Sequence, residues 1–165
     1  MERLIVKGQD APRQPHLPSD VPVFQDGRLI GVKRRWSWSQ SPLKPNNEFR
    51  VLVVNDMRDI ADLCAWLLKS WGFQVWTAYD GLAGLNMART LVPDLALLNY
   101  MMPGLDGLQV LGALRHDPKT ARMKVIIDSV TPIDKQAVRL GAQDFLQAPF
   151  APDDLLVKVS RVLRA

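Results

Sequence analysis

A chain of 165 residues with 47% hydrophobic content has room for one domain with a proper core and some excess. No apolar run approaches the ~20 residues that span a bilayer, the N-terminal MERLIVKGQDAPRQ lacks the apolar stretch of a signal peptide, and a lone cysteine, Cys64, excludes an internal disulfide. The net charge of +4 is uneven: residues 1–49 hold 8 Lys/Arg against 5 Asp/Glu (8 − 5 = +3) and the rest 13 against 12 (13 − 12 = +1), so a basic nucleic-acid-binding globular surface is not indicated and a cytoplasmic, membrane-free protein is expected.

Residues 1–49 form a basic, Pro-rich arm without a sustained apolar period, and disorder is expected from Ala11 to Pro22. Within it, VPVFQDGRLIGVKRRWSW places Asp26-Gly27 between two apolar runs, a hairpin signature that is marginal in isolation. Arg34, Arg35, Trp36 and Trp38 mix cations with aromatics. A solvated tail or a docking strand is the simpler reading, with contact to an acidic partner or nucleic acid as the alternative.

From Arg50 the pattern changes. Val51–Val54 is a continuous apolar run, as in a buried parallel strand. Ile60, Leu63, Cys64, Leu67, Leu68 and Trp71 follow at helical spacing, with Gly72 placed to end the helix. Strands are then expected at 74–77, 95–98, 125–127 and 144–146, and helices at 81–91, 105–115, up to Gly141, and 152–164. The last helix has Pro152, Asp153 and Asp154 at its start and Arg161 and Arg164 at its end, matched to the helix dipole. Five alternations of strand and helix predict an α/β domain over 50–165 with a parallel sheet. Chemistry in such sheets gathers at the carboxyl ends of the strands. Here those ends are Asn55-Asp56, Asn99, Asp128-Ser129 and Gln147-Ala148.

These residues, with MMPGLDG after the third strand of the domain and GAQDFLQAPF around the fifth, resemble the receiver domain of bacterial two-component response regulators, over about two-thirds of the chain. The resemblance implies a flavodoxin-like (βα)5 three-layer sandwich with a five-stranded parallel sheet in the order 2-1-3-4-5. In that family an Asp at the end of the third strand accepts a phosphoryl group from a histidine kinase. An acidic pair holds Mg²⁺, a Ser/Thr ends the fourth strand and a Lys the fifth. The matching positions are Asn99, Asn55 with Asp56, Ser129 and Ala148. Three of the five lack the group their task needs. An amide is not an anionic nucleophile, Asp56 alone supplies metal-binding charge, and Ala148 cannot neutralise a phosphoryl group.

The expectation is therefore a degenerate, pseudo-receiver site: no catalytic residue, no enzyme activity, no cofactor, and Mg²⁺ binding weak or absent. Asp128 is read as an unusual polar residue at a strand end, because alternation sends it and Ser129 to opposite faces. Asp106 is read as a helix cap, Cys64 as inert packing, and the isolated His16 and His116 as neither metal nor catalytic groups. The Ala148-Pro149 bond is expected to be cis and the fourth helix of the domain to be stunted. Phe145 matches an aromatic that the family reorients on activation, and reads more simply as a packed aromatic. Trp66 falls off the apolar stripe of its helix, as an interface anchor, a residue covered by the arm, or one partly buried against a neighbour. With no output domain expected after the last helix, the function read is a stand-alone, phosphorylation-independent interaction module. Its expected partners are a histidine kinase, another response regulator or a second copy of itself. The alternatives are a conventional phosphoacceptor using a non-standard site and a regulator tethered to nucleic acid by its arm.

Overall fold

A computed structural model describes residues 20–25, 28–34, 49–131 and 134–165. The chain divides into two units, Met1–Lys44 and Pro45–Ala165. In the first, β1 (Asp20–Gln25) and β2 (Arg28–Arg34) pair antiparallel, with Val21 opposite Lys33 and an irregularity between Val23 and Phe24. The hairpin read from the flanking apolar runs is therefore present. Of the stretch from Ala11 to Pro22 expected to be disordered, residues 20–22 instead belong to β1, while residues 11–19, the Asp26-Gly27 turn and the candidates Arg35, Trp36 and Trp38 lie outside the described residues, and Arg34 closes β2.

The second unit runs β3 (Arg50–Val54), α1 (Arg58–Ser70), β4 (Gln74–Ala78), α2 (Gly81–Leu91), β5 (Leu95–Asn99), α3 (Gly107–His116), β6 (Lys124–Ser129), α4 (Asp134–Arg139), β7 (Asp144–Gln147) and α5 (Pro152–Arg164). Its five strands are parallel in the order β4-β3-β5-β6-β7, which is 2-1-3-4-5 counted within the unit. The β3, β5 and β6 runs are buried on both faces, which explains why they read as unbroken apolar segments.

Strand alternation distributes the two cores. Leu52, Val54, Ala96, Leu98, Val125 and Ile127 pack with Leu85, Ala88, Leu111, Leu114 and Ala137 of α2, α3 and α4. The opposite face carries Val51, Val53, Leu95, Leu97 and Ile126, covered by α1 and α5. On that side Lys124 donates from Nζ to the carbonyls of Val162 (2.7 Å) and Leu163 (3.2 Å), a cation at the carboxyl end of α5 where the dipole favours one.

Two expected boundaries shift for identifiable reasons. α3 starts at Gly107 rather than Leu105 because Asp106 is its cap. The Asp106 carboxylate accepts from Gln109 N at 2.8 Å, and the Gln109 side chain accepts from Asp106 N at 2.9 Å. On α1 the buried residues are Ala61, Cys64, Ala65 and Leu68, so Leu63, read as part of the apolar stripe, is instead 51% exposed. The buried stripe runs i, i+3, i+4, i+7 from Ala61, and Leu63, about 100° around the helix from Cys64, falls off it. Gly72, expected to end α1, does so with φ of 90°, a left-handed conformation that glycine adopts without strain. The stunted fourth helix of the domain is α4, six residues long.

Candidate functional site

The polar residues at the carboxyl ends of β3 and β5 are joined by side-chain amides. Asn55, directly after β3, is buried and accepts through Oδ1 from Met57 N at 2.9 Å, which folds the chain into the start of α1. Asn99 ends β5. Its Nδ2 donates to Asp56 Oδ1 at 2.8 Å and to the Met101 carbonyl at 3.0 Å, with Asn55 Oδ1 at 3.5 Å. Two N–H bonds thus go to the two nearer oxygens, and the third lies at the edge of reach. The reverse amide orientation would set a carbonyl oxygen against three acceptors, so the surroundings select this one.

Backbone geometry holds Asn99 where it is. Tyr100 N donates to the Asp128 carbonyl at 2.7 Å, and Gly107 N donates to the Tyr100 carbonyl at 2.9 Å. A Cβ on Gly107 would lie 2.4 Å from the Asn99 carbonyl oxygen, so only glycine lets α3 begin against the end of β5. Gly107 and the Met101 carbonyl were not identified from the sequence as part of the site. The spacing of Asp106 as a cap was the available signal for the first, whereas a backbone carbonyl leaves no trace in residue type.

The other two rim positions are engaged elsewhere. Ser129 is buried, its Oγ accepting from Thr131 N at 3.0 Å and lying 3.1 Å from the Thr131 hydroxyl. Ala148 N donates to the Ser129 carbonyl at 2.9 Å, and its methyl group offers no charge where a lysine ammonium would stand. The Ala148-Pro149 bond is cis. Gln147 bridges the neighbouring loops by donating from Nε2 to the Val130 carbonyl at 2.7 Å.

Asp128 is the polar strand-end residue expected, on the face opposite Ser129. It is the register partner of Asn99, so it shares the face of Asn99, while Ser129 falls on the other. Like Asn55 and Ser129 it is buried, at 5% exposed, but its Oδ1 has no hydrogen-bond partner. Desolvation pushes its carboxyl pKa up to about 6. The Cys64 thiol of α1 is pushed up to about 12 by its own burial and then by Asp128, which keeps it protonated at neutral pH. Of the interaction candidates, Phe145 is partly buried against the core, while Trp66 is 49% exposed on the outer side of α1.

Residues 51–160 match the family model for the response regulator receiver domain. The chain belongs to the response regulator receiver family. It is 37% identical over 118 residues to the DNA-binding dual master transcriptional regulator RpaA of Synechocystis, covering 70% of this chain and 49% of that protein, so it spans about half the length of this relative. Among solved structures it is similar to the receiver domain of NtrX from Brucella abortus (32% identity, TM-score 0.65, covering 70% of this chain and 98% of that one). It is similar also to the Vibrio cholerae chemotaxis protein CheY4 (28% identity, TM-score 0.65, 69% and 98% covered). The fold is thus the flavodoxin-like receiver fold, and the domain is one of two-component signalling. Among the described residues no helix is long and apolar enough to cross a membrane.

Proposed function

We propose that this receiver domain acts without phosphorylation, as a protein-interaction module that engages a histidine kinase or another response regulator through a preformed surface. The observation that carries this reading is the Asn99 amide, which donates to Asp56 at the position where the family places its phosphoacceptor. An acyl phosphate needs an anionic oxygen as nucleophile. Asn99 presents an N–H donor to its neighbours, and its oxygen is neutral. Mg²⁺ takes hard oxygens, anionic by preference, in octahedral array. Asp56 is the one carboxylate bonded to Asn99, and the nitrogen stands amid the surrounding oxygens, a donor set that does not suit the ion. Opposite them, Ala148 supplies no cation for a transferred phosphoryl group.

A docking surface remains available in this reading. Met57, Leu63 and Trp66 expose apolar area along the outside of α1. A half-exposed tryptophan flanked by aliphatic groups suits an interface anchor.

The test is intact mass after incubation with acetyl phosphate and Mg²⁺. The full chain is expected to keep its mass, under conditions that phosphorylate a receiver with an aspartate acceptor. Gain of one phosphoryl group on any residue of the rim would replace this reading with that of a working phosphoacceptor.

A further inference from the structure

The three oxygens around Asn99 Nδ2 come from two separate places in the chain. Asp56 Oδ1 (2.8 Å) and Asn55 Oδ1 (3.5 Å) lie after β3, and the Met101 carbonyl (3.0 Å) lies in the loop after β5. Oxygens gathered this way repel one another unless something positive stands between them. A small cation can do it. So can an amide NH₂, whose two hydrogens point at two acceptors and bring partial positive charge to the centre. One of the acceptors here is an ionisable carboxylate, which makes that hydrogen bond a charge-assisted one.

We infer that the Asn99 side chain is a built-in substitute for a divalent cation: it ties the β3–α1 loop to the end of β5 permanently, and the pocket is complete with no metal bound. This rests on the phosphorylation-independent reading and extends it, because a pocket closed by its own amide holds one arrangement with nothing to release it. In a cation-dependent pocket the loops answer to ion and phosphoryl occupancy. Here the coupling between β3 and β5 is a hydrogen bond whose donor is part of the chain, so no added ligand is needed to make it. Any surface shaped by these loops is then presented constantly.

The consequence for residue 99 is specific. Asn99→Asp exchanges the donor for a second carboxylate among the same acceptors, so the site gains a negative charge and loses the N–H group that bridges them. Such a site needs a cation, and the substitution creates the need and the ligand together.

The experiment is thermal melting of the full chain with EDTA or with millimolar Mg²⁺. The unmodified protein is expected to melt at the same temperature in both. Asn99→Asp is expected to melt lower in EDTA by about 4 °C or more, the scale of one kcal/mol in a domain of this size, and to regain most of the loss in Mg²⁺. A Mg²⁺-dependent rise in the unmodified protein overturns the inference, as does an Asn99→Asp variant indifferent to the ion. Should Asn99→Asp fail to fold, Asp56→Ala and Asn99→Ala, separately and combined, provide the same decision. Losses that overlap in the double variant support the bridge, and additive losses overturn it. The two readings fail separately: Mg²⁺ binding without phosphoryl transfer removes only the substitution of amide for cation, whereas phosphoryl transfer removes the phosphorylation-independent reading beneath it.

Discussion

Asn99 and Asp128 are register partners on adjacent strands, and they meet opposite surroundings. Asn99, which can donate, lies among oxygens that need a donor. Asp128, which when ionised can only accept, lies under α1 and α5 with its Oδ1 unpartnered. The contrast teaches that a carboxylate near the end of a receiver strand is not thereby a phosphoacceptor. Access and neighbours decide, and Asp128 is 5% exposed with its Oδ1 unpartnered among the described residues. It also separates two costs. The neutral amide at position 99 carries no charge to desolvate, whereas the acid at position 128 imposes a desolvation penalty on the fold whenever it is ionised.

The comparison breaks most severely at Gly107, which supports the Asn99 side alone. Gly107→Ala sets a methyl group 2.4 Å from the Asn99 carbonyl oxygen and drives α3 away from β5. A backbone atom cannot yield as a flexible side chain does, so a loss of about 3 kcal/mol is expected, at the upper end of overpacking costs. Urea denaturation measures it. A variant as stable as the parent would mean that α3 is not seated against Asn99 as described.

The Asp128 side yields a pH-dependent effect of slightly smaller size. The folded-state pKa of about 6 lies above the ordinary 3.8, so the native state binds the proton more tightly than the unfolded chain. Its contribution to stability is fully present below the ordinary value and is lost as pH rises through about 6. A shift of this size corresponds to about 2 to 3 kcal/mol. From α1 the facing titratable group is Cys64, which stays a thiol throughout this range. The strand neighbour in register on β7 is Leu146, and the buried face of α5 contributes Leu155, Val159, Val162 and the unpartnered Ser160 hydroxyl. Asp128→Asn keeps the shape and removes the titration. The variant should gain on the parent steadily between pH 4 and pH 6.5, a window set by about the ordinary and shifted values, and hold that advantage at higher pH. Parallel stability curves for the two proteins would show that Asp128 is solvated or paired.

Most of the architecture could be read from residue patterns because burial on both faces of β3, β5 and β6 leaves unbroken apolar runs, and turn and cap residues punctuate them. Where the reading slipped, the phase of a helix decided the matter. Leu63 satisfied helical spacing as well as Ala61 did, but the buried stripe runs i, i+3, i+4, i+7 from Ala61 and Leu63 falls off it. The identities of the rim residues were legible from the family resemblance, including the amide at 99. The bond from Asn99 to Asp56 and the Met101 carbonyl was not, since neither the direction of an amide nor the position of a backbone oxygen is encoded in periodicity. Alternation puts Asp128 and Ser129 on opposite faces, as expected, and the register adds that Asp128 shares the face of Asn99. Alternation relates neighbours within a strand and says nothing of which of two strand-end residues shares a face with a third on another strand.

The smallest effect sharpens the comparison from the Asn99 side without touching its bonds. Asp106 caps α3 and its carboxylate accepts from Gln109 N, one residue ahead of the glycine that abuts Asn99. Asp106→Ala removes this acceptor and leaves the first turn of α3 with an unsatisfied N–H group, at a cost of about 1 kcal/mol. Because Gly107 N still donates to the Tyr100 carbonyl, α3 should stay seated, and the pH dependence arising from Asp128 should be unchanged. Denaturation curves at pH 5 and pH 8 test both points, values chosen to lie roughly either side of the Asp128 transition. Equal losses at the two pH values mean that the Asn99 corner and the Asp128 interior respond independently, although their strands are hydrogen-bonded neighbours. Unequal losses would mean that fraying the start of α3 reaches through β5 into β6, and the two positions would then have to be treated as one coupled unit.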